Sequence, residues 1–189
     1  VGTIPLATSP SAECLCWAVS KAMNDGLYIA LDVNWRPTFW NARLDSFGGP
    51  SDKVLRVIRP LIESASLLKL AKEEAFWFFG TPDPSLISAS LPLKPSVVVT
   101  DGGNLLKWCV AGAYGELKAL QPPHVVDTTG AGDAFTSGIL HHLVDISAQQ
   151  QTPGQIMRFA AACGSLVCSG AGAIDPQPDV NKVQIFLNT

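Results

Sequence analysis

Long apolar runs, clustered cations and a paired-cysteine framework are all missing from this 189-residue sequence, and each absence removes a class of function. No apolar stretch approaches the roughly 20 residues a membrane span requires, and no signal or transit segment is visible. The 13 Lys+Arg against 16 Asp+Glu give a net charge of −3, with no basic patch for nucleic acid or an acidic membrane. The five cysteines, Cys14, Cys16, Cys109, Cys163 and Cys168, are odd in number and lie mostly in apolar stretches. Buried reduced thiols, and with them an intracellular compartment, are therefore expected in place of a disulfide framework. Neither cysteine pair has zinc-ligand spacing, and His124, His141 and His142 do not cluster with them. Two common phosphate loops are absent as well. There is no Gly-x-x-x-x-Gly-Lys-Ser/Thr, and a dinucleotide fingerprint would need a small residue where Phe135 stands. Small-molecule partners fit this chain best.

What the sequence does contain is the run Val125-Val126-Asp127-Thr128-Thr129-Gly130-Ala131-Gly132-Asp133-Ala134-Phe135. Two glycines around Ala131 let backbone N–H groups crowd around an anion, and Phe135, Ile139, Leu140, Leu143 and Val144 follow at helical spacing. The spacing predicts a glycine turn opening a helix, whose first turn presents unpaired N–H groups and the positive end of the macrodipole. Asp133 falls in that first turn. A carboxylate held ionised there can accept a proton from a hydroxyl while the neighbouring amides stabilise a transferring phosphoryl group. The plainer alternative makes Asp133 a dipole-favoured residue beside a tight turn.

The run from Asp127 to Phe135 resembles the C-terminal signature of the ribokinase-like, or PfkB, carbohydrate kinases. The resemblance implies that Asp133 is the base that deprotonates a sugar hydroxyl attacking the γ-phosphate of ATP. It makes Gly130, Ala131 and Gly132 the anion hole, and Asp127 and Thr129 contributors to a monovalent-cation site for K⁺. The segment Asp32-Val33-Asn34-Trp35-Arg36-Pro37, with Trp40 beyond it, resembles the fructokinase and ketodeoxygluconate-kinase branches. There Asn34 and Arg36 would face the sugar and its phosphate. Without the resemblance, Asp32 and Arg36 fit a local ion pair or turn.

Along the chain, Ser9 and Pro10 are expected to start a helix that Asn24-Asp25-Gly26 ends, and Leu27 to Val33 reads as a buried strand. Pro37 biases Arg36 towards extended geometry and marks a loop. Asp52 to Ser64 is an amphipathic helix despite Pro60, and Ser66 to Leu70 a short strand. A third helix carries Phe76, Trp77 and Phe79 as core packing and closes at Gly80 and Pro82. The resemblance aligns a family Asn-x-x-Glu or Ser-x-x-Glu pattern on Ala71 and Glu74. It implies that Glu74 positions Mg²⁺ through water, while Ala71 lacks the polar side chain.

Ser96 to Thr100 reads as a β-branched strand ending in Asp101-Gly102-Gly103, and Leu105 to Val110 pairs with Glu116 to Leu120 in a hairpin. The resemblance makes Thr100 and Gly102 nucleotide contacts. The closing helix, Pro153 to Cys168, places Ile156, Phe159, Ala160, Cys163 and Leu166 on one side. Ser169 to Ala173, with Pro176, resembles the late loop beside the nucleotide, which assigns Gly170 and Gly172 there. His141 and His142 are expected to complement a helix C-terminus.

Alternating strands and helices with no repeat or low-complexity linker imply an α/β layered sheet with helices on both faces. The expected whole is the C-terminal portion of one ribokinase-like domain, residues 1–189, truncated at the N-terminus because Val1-Gly2-Thr3 reads as a strand end. The resemblance implies an ATP- and Mg²⁺-dependent sugar kinase, fructokinase first and 2-keto-3-deoxygluconate kinase second. A kinase-derived binding protein without turnover is the rival. Nucleic acid and membranes are excluded as partners, a homodimer of the full-length protein is allowed, and the compartment is the cytoplasm, or a plastid in a plant. The 189 residues alone are expected to be inactive.

Overall fold

The computed structural model describes residues 1–41, 48–144 and 151–188. Five strands, β1 (Ala30–Asp32), β2 (Leu67–Ala71), β3 (Ser96–Thr100), β4 (Leu105–Val110) and β5 (Ala113–Lys118), form one mixed sheet in the order β1-β2-β3-β4-β5. β1 pairs with β2 and β2 with β3 in parallel, whereas β3 and β4 run antiparallel. The helices are α1 (Ser11–Asn24), α2 (Pro37–Trp40), α3 (Asp52–Glu63), α4 (Lys72–Phe79), α5 (Pro84–Ser90), α6 (Ala131–Val144), α7 (Pro153–Val167) and α8 (Val180–Leu187). A 3₁₀ turn at Ile4–Ala7 precedes them.

The chain forms two compact units, Val1–Asp101 with Lys107–Tyr114, and Gly102–Leu106 with Gly115–Thr189. In the first unit, Leu67, Leu68, Leu70 and Val97 to Val99 are all at most 3% exposed. Such continuous burial belongs to parallel strands covered on both faces. Ile58, Leu61 and Ile62 of α3 supply part of the surrounding core, and Pro60 is accommodated inside that helix. β4 turns into β5 through Ala111 and Gly112, with φ of +49° and +79°, the paired left-handed residues of a tight hairpin turn. The second arm therefore begins at Ala113, earlier than the Glu116 expected.

Local expectations at the start of the chain need correction. Ser9 does not cap α1; the helix starts at Ser11 after Pro10, and the Ser9–Pro10 peptide is cis. The run from Leu27 to Val33 shortens to Ala30–Asp32 because its first residues finish α1 instead. The Gly26 N–H bonds to the Met23 carbonyl and the Leu27 N–H to the Ala22 carbonyl, with Gly26 at φ +67°, a complete Schellman cap. Phe76, expected in the core, is 48% exposed, while Trp77, Phe78 and Phe79 pack against the core. The segment after Arg36 is the short helix α2, although Arg36 itself is extended at φ −136° and ψ 93° as Pro37 requires.

In the second unit, α6 and α7 approach closely. A Cβ on Gly138 would lie 2.7 Å from Ala160 Cα, and one on Gly164 would lie 3.0 Å from the Ala131 carbonyl oxygen. The core between them contains Ala134, Phe159, Ala162, Cys163 and Val167, joined by Val183 of α8. The face that α6 buries is Ala134, Phe135, Gly138, Ile139 and His142. Leu140, Leu143 and Val144 are 37%, 40% and 79% exposed, contrary to the stripe read from the sequence. Close helix contact selects the small Gly138 over its larger neighbours.

Candidate active site

The glycine run of the second unit is fixed from both ends. The Cys168 carbonyl accepts the N–H groups of Val126 (2.8 Å) and Asp127 (3.3 Å). One carboxylate oxygen of Asp127 accepts the Thr129 N–H at 2.9 Å and its hydroxyl at 2.7 Å, and the other accepts the Gly172 N–H at 2.9 Å. These bonds, the Thr129 hydroxyl foremost, hold the Asp127 carboxyl below its ordinary pKa. Asp127 therefore staples the turn to the loop containing Gly170 and Gly172. Gly130 has φ +83°, and a Cβ there would meet Ala173 Cβ at 2.8 Å, so only glycine fits.

α6 begins at Ala131, which puts Asp133 in its first turn, exposed, as the spacing predicts. The Ala131 N–H is taken by the Thr128 carbonyl (3.2 Å), and the Ala134 N–H by the Gly130 carbonyl (2.8 Å). Among the described residues, the N–H groups of Gly132 and Asp133 between them meet no backbone acceptor. The Gly130 N–H likewise meets no backbone acceptor among the described residues, so of the three residues expected to form an anion hole only Ala131 has its N–H engaged. Amides and carboxylate share one helix start.

The sugar-side candidates lie in the first unit. Asn34 follows β1 with φ +46°, and the Arg36 guanidinium donates to the Trp35 carbonyl at 2.9 Å. The ion pair considered between Asp32 and Arg36 is replaced by another: Lys69 Nζ lies 3.0 and 3.1 Å from the two Asp32 oxygens, with both side chains nearly buried. Asp32 and Lys69 are register partners at the β1–β2 pairing.

Glu74, 5% exposed, accepts the Trp35 N–H at 2.6 Å with one oxygen and the Ala71 N–H at 2.7 Å with the other. Burial pushes its pKa up, against the two amide bonds and the charge of Lys69. The Ala71 bond is half of a capping box; the other half needs a side-chain oxygen that Ala71 lacks. One amide bond per oxygen leaves acceptor capacity on the Glu74 carboxylate, and Ala71 beside it adds no side-chain oxygen. Among the described residues no group of three His, Cys, Asp or Glu could hold a metal ion. Asp127, held below its ordinary pKa, forms no salt bridge with a lysine or arginine among the described residues.

The nucleotide candidates divide by role. The Thr100 hydroxyl points to the Leu70 carbonyl at 3.4 Å, and Gly102 makes a turn at φ +50°. Gly172, at φ +78°, donates to Asp127, so the structure brings it together with Thr129 and the glycine turn. Gly170 is explained by packing, because a Cβ there would sit 2.6 Å from Pro176 Cβ. Neither the two amide hydrogen bonds accepted by Glu74 nor the Lys69–Asp32 pair was foreseen from the sequence. The available signal was Lys69 itself, a cation inside the apolar run Leu67-Leu68-Lys69-Leu70 that demands a buried partner.

The histidines of α6 are packing elements. His142 is 4% exposed, with Nδ1 2.9 Å from the Gly138 carbonyl oxygen, and meets Phe159 edge-on, while His141 stacks on the same ring at 5.5 Å. A cavity of about 320 Å³ beside them is lined by Ser137, His141, Phe159, Cys163, Gln177 and Asp179.

A family model described as pfkB family carbohydrate kinase matches residues 7–180. The relative named probable fructokinase-6, chloroplastic, from Arabidopsis thaliana is 30% identical over 196 residues, covering 98% of this chain and 48% of the relative. A fructokinase of Vibrio alginolyticus is 27% identical over 99% of this chain and 59% of its own length. Among solved structures, a fructokinase double mutant from Vibrio cholerae O395 with fructose, ADP and potassium ion superposes with a TM-score of 0.79. It is 26% identical, and the match covers 99% of this chain and 59% of that one. The chain thus spans about half the length of the curated relatives it matches.

Proposed function

Because the chain belongs to the pfkB family of carbohydrate kinases, we propose that it serves in the transfer of the γ-phosphoryl group of ATP to a sugar hydroxyl. D-Fructose is the leading acceptor and 2-keto-3-deoxygluconate the alternative. We further propose that the 189 residues are the C-terminal portion of one such kinase domain. The observation that carries the reading is the start of α6, where Asp133 and two N–H groups without backbone acceptors occupy a single turn.

In this reading Asp133 takes the proton of the attacking hydroxyl. The hydroxyl oxygen bonds to the γ-phosphorus, the bond to the β–γ bridging oxygen breaks, and ADP leaves with that oxygen's electron pair. The backbone amides of the Gly130-Ala131-Gly132 turn, with that of Asp133 beside them, stabilise charge on the transferring group. Mg²⁺ enters as part of the MgATP substrate. Asn34 and Arg36 recognise the sugar, and Thr100, Gly102, Gly170 and Gly172 border the nucleotide. K⁺, held by Asp127 and Thr129, would supply fixed positive charge beside the glycine turn. The Vibrio cholerae neighbour's fructose, ADP and potassium ion support the same assignment of substrate and cations.

No described helix is long and apolar enough to cross a membrane. The described cysteines are all free thiols, which supports work in a reducing compartment, cytoplasm or plastid. The test is a panel of sugars, D-fructose and 2-keto-3-deoxygluconate among them, incubated with ATP and the full-length protein carrying this chain. Sugar-dependent ADP release with D-fructose is expected. ATP binding without release from any sugar would favour the rival, a binding protein without turnover, to which Ala71 lends support.

A further inference from the structure

The sugar-side segment is pinned residue by residue. The Val33 N–H donates to the Lys69 carbonyl at 3.1 Å, and its own carbonyl accepts the Thr3 hydroxyl at 2.6 Å. Trp35, 4% exposed, gives its backbone N–H to Glu74 and its indole N–H to the Gly48 carbonyl at 2.8 Å, and its ring lies 5.8 Å from that of Trp40. Between these two anchored residues stands Asn34 at φ +46°, a left-handed conformation that a non-glycine residue holds only when its neighbours impose it. The anchor on the Trp35 side crosses 39 positions of sequence to the first turn of α4.

We propose that Glu74 is the positioning residue of the segment Val33–Arg36, holding Asn34 and Arg36 in their sugar-binding arrangement through the Trp35 amide. Through this tie its contribution to turnover is exerted on the sugar. The carboxylate is suited to this because each oxygen serves a different amide, one on the segment and one at the end of β2. A buried carboxylate with both oxygens so used ties two backbone segments in a fixed geometry, which is what preorganises a binding loop. The buried Asp32–Lys69 pair secures the same segment at its base. This inference rests on the sugar-kinase reading.

The test is Glu74→Gln in the full-length protein. A glutamine offers one oxygen, so it can hold only one of the two amides. D-Fructose binding is measured by calorimetry without nucleotide or Mg²⁺, alongside ATP binding and the Mg²⁺ dependence of turnover. Fructose Kd is expected to rise by about tenfold or more, with fructose KM following it, while ATP Kd and the half-saturating Mg²⁺ concentration stay within about twofold. A fructose Kd within about twofold of wild type, with the change confined to Mg²⁺ dependence, overturns the proposal and leaves the kinase reading standing. A wild type that binds neither D-fructose nor 2-keto-3-deoxygluconate overturns both. If Glu74→Gln loses cooperative unfolding, amide hydrogen exchange in the wild type decides instead. Fructose in Mg²⁺-free buffer must slow exchange at the Trp35 N–H, and unchanged exchange overturns the proposal.

Discussion

Two carboxylates, one in each compact unit, do the same mechanical task in opposite surroundings. Glu74 joins the end of β2 to the segment Val33–Arg36, and Asp127 joins the glycine turn to the loop at Gly172. Each accepts backbone N–H groups with both oxygens. Glu74 is buried, so desolvation dominates and its pKa rises; Asp127 is only half-buried, so hydrogen bonding dominates and its pKa falls. The difference teaches that a backbone staple does not by itself fix the charge state of the carboxylate that makes it. The buried staple leans on a neighbouring cation, here Lys69, whereas the half-buried one is sustained by its own hydrogen bonds.

The largest expected effect comes from removing that cation. Lys69→Met takes the ion-pair cation from the nearly buried Asp32 carboxylate and a favourable charge away from Glu74. Breaking one partner of a buried pair typically costs about 3–5 kcal/mol, so denaturant unfolding of the first unit should shift by that order. A change below about 1 kcal/mol, the level of a surface pair, would erase the contrast between the two staples.

The pH dependence sharpens the comparison with smaller effects of opposite sign. With its folded-state pKa raised, Glu74 favours the folded state most at acidic pH, and that contribution declines as pH rises through the raised value. Asp127, with its folded pKa lowered, contributes above the ordinary carboxylate value and loses that contribution as pH falls through the lowered one. Thermal unfolding from about pH 3 to 7 should therefore show Glu74→Gln removing a falling slope and Asp127→Asn removing a rising one. Slopes of the same sign would show that the environments do not differ as described.

The smallest effect concerns the cation proposed at Asp127. Turnover in K⁺ is expected to exceed that in Na⁺ or a bulky organic cation at matched ionic strength, and Asp127→Asn should abolish the difference. Equal rates in all three salts would remove the cation from Asp127 and leave it a staple alone.

Much of this was legible in the residues. The start of α6 and the first-turn position of Asp133 follow from two glycines ahead of a helical pattern, and the β2 and β3 strands from their branched apolar runs. What was not legible depended on contacts distant in sequence. Periodicity weighs large apolar side chains, so it chose Leu140, Leu143 and Val144, whereas the real contact with α7 needed the small Gly138. The apolar content of Leu27 to Val33 read as one strand, because a Schellman cap is a backbone event that composition records only as Gly26. Glu74 was singled out by resemblance, but its tie to Trp35 could not be seen before β1 and β2 were placed side by side.

The central claim is that Asp133 and the N–H groups of its helix turn form the phosphoryl-transfer centre. Asp133→Asn in the full-length protein, assayed for D-fructose-dependent ADP release beside calorimetric ATP binding, tests it most directly. The account predicts a turnover lower by about 10²–10⁴-fold with ATP affinity essentially retained. Turnover within about threefold of wild type, a change too small for loss of a general base, would contradict it.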